Sequence, residues 1–192
     1  MRIISGLAKG IPLTVPKGEV RPTTDRVREA LFSILNPLIA QADVLDLFTG
    51  SGAFGLEALS RGARSAKLVD VLRNSCMTAK SNAAKCRLNN AVIVQSDAVQ
   101  FVKREAESGR QYDIVFADPP YCKGPADRDF VVEMVEAGIS RLVKPDGLFI
   151  AEVQEGWGTG QEGEQEFEGF DLVDIRQYGK NMLLFYRPVV EK

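Results

Sequence analysis

The chain has 192 residues, of which 45% are hydrophobic and 26% are charged. This length and balance are typical of a globular domain with a sizeable core. The absence of histidine excludes Ser-His and Cys-His catalysis and any histidine-based metal site. Because the three cysteines have no CxxC spacing and no apolar run is long enough for a membrane helix, we expect neither a zinc cluster nor a membrane span. The first residues do not resemble a signal peptide, so the expected compartment is the cytoplasm.

Charge is distributed unevenly around a formal net value of −2. Residues 1–35 carry six basic and three acidic side chains, whereas residues 152–174 carry eight acidic side chains and no basic one. A basic arm on an acidic body suits a protein that meets an anionic partner on one side, but chance asymmetry explains the charge pattern equally well. The basic side chains of the arm are Arg2, Lys9, Lys17, Arg21, Arg26 and Arg28.

Residues 1–42 are predicted to form a small extension that precedes a main domain at residues 43–192. Gly6, Gly10 and Pro12 interrupt the beginning of this extension and predict short strands joined by a turn.

A helix is predicted to open at Arg21–Asp25, with Thr23 or Thr24 as its cap. Its apolar residues recur at helical spacing from position 27 to position 35 and leave Arg26 and Arg28 off the buried face. We expect Pro37 to stop the helix.

Apolar runs alternate with helical patterns throughout the main domain. The predicted strands are 44–48, 66–71, 91–95, 113–117 and 148–153, and the predicted helices are 53–61, 74–87, 97–107 and 128–143. Strands separated by helices indicate βαβ units, so we predict a Rossmann-like α/β fold with a mostly parallel twisted sheet. A C-terminal antiparallel hairpin is predicted at 170–178 and 182–187, and a mobile loop at 155–169.

A glycine motif follows the first strand of the main domain. It runs from Val44 to Gly55 as VLDLFTGSGAFG, so that a strand enters a glycine turn and then a helix. Glycines let the backbone approach a ligand, and the start of a helix offers unpaired N–H groups. Asp70 lies 20 residues after Gly50, at the end of the second strand, where a carboxylate can accept both hydroxyl protons of a ribose. The motif therefore predicts a nucleotide-type cofactor, either a dinucleotide or S-adenosylmethionine.

Asp46 favours S-adenosylmethionine. A carboxylate at the end of the first strand would repel a pyrophosphate, but it can hold the ammonium group of a methionine moiety. Asp97 follows the third strand, where it can accept a proton from an adenine amino group, cap the next helix, or do both. The residues that we predict to bind the cofactor are Asp46, Phe48, Gly50, Ser51, Gly52, Asp70, Asp97 and Ala98.

A second motif, Asp118-Pro119-Pro120-Tyr121, follows the apolar strand at 114–117. An exocyclic amino nitrogen of a base is a poor nucleophile because its lone pair is delocalised into the ring. The Asp118 carboxylate and the Pro119 carbonyl offer fixed acceptors for its two N–H groups, and the prolines hold the backbone rigid. Tyr121 offers a ring on which an extruded base can stack. These four residues are therefore our candidate catalytic residues for methylation of a base amino group, a reaction that requires no metal.

These motifs resemble the D/N-PP-Y/F amino methyltransferases and, more closely, the RsmD family of bacterial 16S rRNA guanine-N2 methyltransferases. The specific part of the resemblance is the run RPTTDRVREALF at residues 21–32, and RIISG at 2–6 and the glycine motif extend it. The resemblance implies a class I methyltransferase fold, S-adenosylmethionine as cofactor and N2 of a guanine in small-subunit ribosomal RNA as acceptor. It also implies that the arm from Arg2 to Arg28 faces the RNA, and we expect the enzyme to act as a monomer. Asp70 stands where Glu is commoner in this family.

Four alternatives stay open. An N6-adenine methyltransferase uses the same tetrapeptide, but it usually carries a target-recognition region for which this chain has little spare length. A protein glutamine methyltransferase would favour Asn at position 118. An NAD dehydrogenase is disfavoured by Asp46 and by the missing histidine, and a non-catalytic RNA-binding module by the intact motifs.

Overall fold

The computed structural model describes residues 1–16, 25–121, 127–157 and 166–189. The chain forms two compact units, Met1–Ala98 and Val99–Lys192. No helix within the described residues is long and apolar enough to cross a membrane. The predicted division at residue 42 stays a prediction.

The first unit contains three parallel strands and the helices that connect them. Its elements are α1 (Asp25–Ile39), β1 (Asp43–Leu47), α2 (Ala53–Ser60), β2 (Ser65–Asp70), α3 (Arg73–Cys86) and β3 (Ala91–Gln95). The strand order is β3-β2-β1, and both neighbouring pairs are parallel. The carboxyl ends of the three strands therefore meet at one edge, which is where open α/β sheets bind ligands.

The second unit contains a mixed arrangement of four strands. Its elements are α4 (Ala98–Glu107, beginning at the last residue of the first unit), β4 (Tyr112–Ala117), α5 (Phe130–Glu136), a short 3₁₀ helix (Ile139–Leu142), β5 (Val143–Gln154), β6 (Phe170–Tyr178) and β7 (Asn181–Pro188). The strand order is β4-β5-β7-β6, with β4 parallel to β5 and both contacts of β7 antiparallel. The predicted α/β fold and its C-terminal hairpin are confirmed.

Three elements differ from their predictions. Pro37 lies inside α1, which continues to Ile39, because burial of Leu35 and Ile39 holds the last turn despite the missing N–H. The predicted helix at 128–143 is shorter, because Gly138 adopts a left-handed φ of 90° and ends it. The expected short strands near the N-terminus reduce to a single bridge between Arg2 and Pro12.

Residues 1–16, here called the N-terminal segment, are hydrogen-bonded to α2. The backbone N–H groups of Ile4 and Ser5 donate to the carboxylate of Glu57 at 2.7 and 3.0 Å. Gly6 has a φ of 83°, and a Cβ there would lie 1.8 Å from the carbonyl oxygen of Ser60. Because the side chain of Ile3 is also fully buried, the segment is part of the core of its unit. The predicted helix caps Thr23 and Thr24 lie outside the described residues.

Candidate active site

The glycine turn between β1 and α2 has an unusual backbone. Phe48, Gly50 and Gly52 have φ values of 63°, 54° and 82°. A non-glycine residue in the left-handed region is strained, and such residues concentrate at functional sites. A Cβ at Gly52 would lie 3.1 Å from Leu68, so a side chain there would crowd the packing of the turn on β2. The turn therefore keeps its backbone close to the sheet, as a ligand cradle requires.

Asp46 lies under the turn and is 1% exposed. Its Oδ2 accepts hydrogen bonds from the Thr49 hydroxyl at 2.6 Å and from the Gly55 N–H at 3.0 Å. Burial raises the pKa of Asp46 to about 7, the two hydrogen bonds oppose this shift, and the charge of Asp70 adds to it. The side chain is therefore anchored at the start of α2 and has a pKa near neutrality.

Asp70 ends β2 and contacts the same turn. Its Oδ2 accepts from the Gly50 N–H at 2.9 Å, and its Oδ1 accepts from the Leu72 N–H at 2.8 Å. Each carboxylate oxygen can accept a second hydrogen bond. The two backbone contacts fix the carboxylate, so the acceptors for a diol are preorganised at the edge of the sheet.

The third strand brings Asp97 and Ala98 to the same edge. The Ser96 N–H donates to the Asp70 carbonyl at 3.0 Å, which ties the end of β3 to the end of β2. Asp97 is half-buried and immediately precedes α4, and Ala98 is 5% exposed as the first residue of that helix. All eight predicted cofactor residues thus lie near or after the carboxyl ends of three parallel strands, and their contact with a cofactor stays a prediction.

The tetrapeptide Asp118–Tyr121 follows β4 in the second unit, at the carboxyl end of the strand. A cavity of about 140 Å³ opens beside it. Pro119, Pro120 and Tyr121 line this cavity, here called the acceptor cavity, and Asp118 is half-buried next to them but is not among the described lining residues. The two prolines and the aromatic ring of Tyr121 therefore lie around one small space, and the Asp118 carboxylate directly precedes them in the chain.

Asp129 and Trp157 also line the acceptor cavity. Asp129 accepts hydrogen bonds from the N–H groups of Val131 and Val132 and so caps α5. Its other oxygen accepts from the Trp157 indole N–H at 2.9 Å. Because a partly buried tryptophan needs a partner for its N–H, this bond fixes the indole against the cavity. Glu152, two residues before the end of β5, also lines the cavity and is 1% exposed.

The predicted RNA-binding residues fall into three groups. Arg2, Lys9 and Arg26 are exposed, whereas Lys17 and Arg21 lie outside the described residues. Arg28 is 2% exposed, so its expected place off the buried face is wrong. Its Nη2 donates to the Arg2 carbonyl and to Asp25, and burial lowers its pKa. Arg28 therefore supports the N-terminal segment instead of presenting charge to solvent.

Sequence reasoning missed two residues that the structure brings to these sites. Asn82, in α3, donates to the Ser51 carbonyl at 2.8 Å and exchanges hydrogen bonds with the Thr14 backbone, so it links the glycine turn to the N-terminal segment. No pattern in α3 distinguishes it from other polar residues. Glu152 had a detectable signal, since it is the one acidic residue within the apolar run of β5 from Leu148 to Val153.

Fold and site together define the class. A solved structure described as a putative methyltransferase, yhhF, from Escherichia coli is similar to this chain, with a TM-score of 0.82 and 35% sequence identity. The match covers 98% of this chain and 97% of the Escherichia coli chain. The fold is therefore that of the class I methyltransferases.

A family model described as "Conserved hypothetical protein 95" matches residues 1–187. The Ribosomal RNA small subunit methyltransferase D of Haemophilus influenzae is 35% identical over 80% of this chain and 79% of its own length. The protein of the same name from Escherichia coli (strain K12) is 46% identical over 65% of this chain, and the match spans 62% of that relative. The chain belongs to the RsmD family, as the resemblance predicted.

Proposed function

We propose that this protein transfers the methyl group of S-adenosylmethionine to N2 of a guanine in small-subunit ribosomal RNA. The observation that carries the proposal is the Asp118–Tyr121 tetrapeptide beside a cavity at the carboxyl end of β4. Membership of a family whose named relatives are small-subunit rRNA methyltransferases supports the choice of RNA.

The first unit fits the cofactor. Asp70 presents a carboxylate fixed by two backbone N–H groups, which suits the two hydroxyls of a ribose. Asp46 supplies negative charge for an ammonium group, and ionisation of its carboxyl near neutral pH is assisted by that cation. When bound, S-adenosylmethionine supplies a methyl group that its sulfonium has already activated. The protein therefore needs to orient the acceptor and needs no metal for the transfer.

The second unit fits the acceptor. The Pro119 carbonyl and the Asp118 carboxylate accept hydrogen bonds from the amino group and turn its lone pair out of conjugation with the ring. Tyr121 holds the extruded base by stacking. Bound S-adenosylmethionine would supply the methyl group with the carbon–sulfur electron pair remaining on sulfur, and the methylated nitrogen would lose one proton to water. Orientation of this kind is the main contribution that the side chains make to the rate.

Residues 1–42 form the proposed RNA-facing surface. The remainder of the chain carries out methyl transfer, and the protein acts as a monomer. Arg2, Lys9 and Arg26 supply exposed positive charge for phosphate contacts. Lys17 and Arg21 complete the proposed set, whereas the buried Arg28 is excluded from it. A small, weakly basic surface has little capacity for reading sequence, so we expect recognition of a folded RNA or ribonucleoprotein shape.

The product identifies the reaction. Small ribosomal subunits that lack the modification are incubated with the enzyme and labelled S-adenosylmethionine, and the RNA is digested to nucleosides. We expect label in N2-methylguanosine, and none with Asp118→Ala as the matched inactive control. Label in N6-methyladenosine, or only in DNA or protein, would overturn the proposal.

A further inference from the structure

A buried carboxylate lies at the acceptor cavity without a role in the reaction described so far. Glu152 is 1% exposed and lines the cavity, and its Oε1 accepts a hydrogen bond from the Asn181 amide at 2.6 Å. Asn181 begins β7, the antiparallel neighbour of β5, so the pairing of these strands holds both side chains in place. A carboxylate oxygen can accept more than one hydrogen bond, so a carboxylate that lines a cavity can also accept from a ligand.

Strand register places this carboxylate beside the catalytic tetrapeptide. Ala117 of β4 is paired with Ala151 of β5 in the parallel ladder. Asp118 follows Ala117 and Glu152 follows Ala151, so the two acidic residues are neighbours in the register just after β4 ends. If a base places its amino group at Asp118, the ring atom next to that amino group would therefore lie close to Glu152.

The nucleobases differ in the ring atom that lies next to the exocyclic amino group. In guanine the exocyclic amino group adjoins a ring N–H, at N1. In adenine and cytosine the ring nitrogen adjacent to the amino group on the Watson–Crick edge is an unprotonated acceptor instead. A carboxylate accepts from the former and repels the lone pair of the latter, so an acidic side chain next to the methylated amino group selects guanine.

We infer that Glu152 determines the choice of base by accepting the N1–H of guanine while Asp118 and the Pro119 carbonyl engage its amino group. This inference rests on the proposed function, and it explains why a tetrapeptide compatible with adenine serves guanine in this chain. Asn181 is a positioning residue, because its amide donates to the Glu152 carboxylate and holds it in place near the end of β5.

The test compares two bases in the same RNA. Small subunits are reconstituted with guanine or with 2-aminopurine at the nucleotide methylated in the product experiment. 2-Aminopurine keeps the amino group but has an unprotonated N1 and no O6. We expect the wild-type enzyme to prefer guanine by at least about 100-fold in kcat/KM, because a site built around a donor rejects an analogue that lacks it.

Glu152→Gln supplies the decisive comparison. The glutamine keeps an oxygen for Asn181 and offers an NH₂ group to the base, which repels the N1–H of guanine and donates to N1 of 2-aminopurine. We expect the preference for guanine to fall by about 30-fold or more, with cofactor affinity within about 2-fold of wild type. Glu168→Gln, an exposed glutamate of the same unit that does not line the cavity, should keep the wild-type preference.

The outcomes separate the two proposals. An equal preference in wild type and Glu152→Gln overturns the role of Glu152 and leaves guanine methylation standing. Absence of guanine methylation by the wild type overturns the proposed function. If the variant does not fold, the wild-type preference decides, since equal use of guanine and 2-aminopurine would overturn the inference without any variant.

Discussion

At the scale of single residues, two carboxylates of the first unit have different environments that suit different partners. Asp46 is buried and shares one oxygen between a hydroxyl and a backbone N–H, whereas Asp70 is half-buried and uses one backbone N–H per oxygen. The buried carboxyl is the one whose pKa is raised, to about 7. A cation suits the first and a neutral diol suits the second.

Replacing Asp70 by Ala removes the proposed ribose acceptors. Losing two charge-assisted hydrogen bonds costs about 2–4 kcal/mol, so we expect S-adenosylmethionine affinity to fall by roughly 30- to 1,000-fold. Titration calorimetry measures the change, and Asp171→Ala, an exposed aspartate of the other unit, is the control. Unchanged affinity in Asp70→Ala would remove this residue from the cofactor site.

Asp46 should make stability fall with rising pH in a defined window. Its pKa is near 4 in the unfolded chain and about 7 when folded, so between these values the folded protein holds a proton that the unfolded chain has released. Its contribution to the free energy of unfolding therefore decreases from pH 4 to pH 7, with a limiting slope of about 1.4 kcal/mol per unit.

Asp46→Asn keeps an oxygen for Thr49 and Gly55 but cannot ionise, so it is the matched variant. We expect it to gain stability relative to wild type as the pH rises through this window. Urea unfolding of both proteins at several pH values provides the measurement, and parallel stability curves would show that Asp46 has an ordinary pKa.

Tyr121 should act through its ring. Tyr121→Phe should be mild because stacking needs no hydroxyl, whereas Tyr121→Ala should lose about 1–3 kcal/mol of base binding. Single-turnover methylation of ribosomal subunits by the two variants tests this difference. If Phe and Ala behave alike, stacking on Tyr121 is not part of the mechanism.

At the scale of elements, the N-terminal segment and α2 form a single packed arrangement. The Glu57 carboxylate accepts hydrogen bonds from two backbone N–H groups of the segment. The hydroxyl and the carbonyl of Ser60 accept from the backbone N–H groups of Ala8 and Leu7, respectively. Asn82 adds a link from the segment to the glycine turn. Residues 1–16 of the basic arm predicted from the sequence therefore form a folded element that supports α2 and the glycine turn.

Two glycines of the segment allow this packing to be measured. Gly6 and Gly10 have nearly equal φ values of 83° and 84°, but a Cβ meets the Ser60 carbonyl at position 6 and open space at position 10. Gly10→Ala should cost only the backbone strain, about 1–2 kcal/mol. Gly6→Ala should destabilise the protein by about 1–3 kcal/mol more, because the segment must move off α2. Equal effects in urea unfolding would show that this contact adds little stability.

At the scale of the whole molecule, charge asymmetry should govern the association with RNA. Among the described residues of the proposed RNA-facing set, Arg2, Lys9 and Arg26 are exposed. Neutralising all three with Ala should weaken RNA binding and reduce the slope of log affinity against log salt by up to about 3, because fewer counterions are released. Arg176→Ala, a half-exposed arginine of the second unit, serves as the control. An unchanged slope in the triple variant would assign the phosphate contacts to other residues.

Local sequence was sufficient to predict most elements and the positions of the chemical groups. The strands of the main domain, the glycine turn and the tetrapeptide all follow from patterns a few residues long, because apolar periodicity and turn residues act locally. Asp46, Asp70 and Asp118 could be named for the same reason: each lies near the carboxyl end of a predicted strand or directly after it, and strand ends bind ligands in this class of fold.

Only the tertiary structure decided which charged groups face solvent and which enter the core. Arg28 was expected on an exposed face but is buried, because its guanidinium satisfies a carbonyl of the N-terminal segment 26 residues away. Glu152 and Asn181 meet through an antiparallel pair formed by strands distant in sequence. Pro37 stays within a helix that core packing extends to Ile39. Each of these outcomes depends on partners far along the chain, and a local pattern contains no information about them.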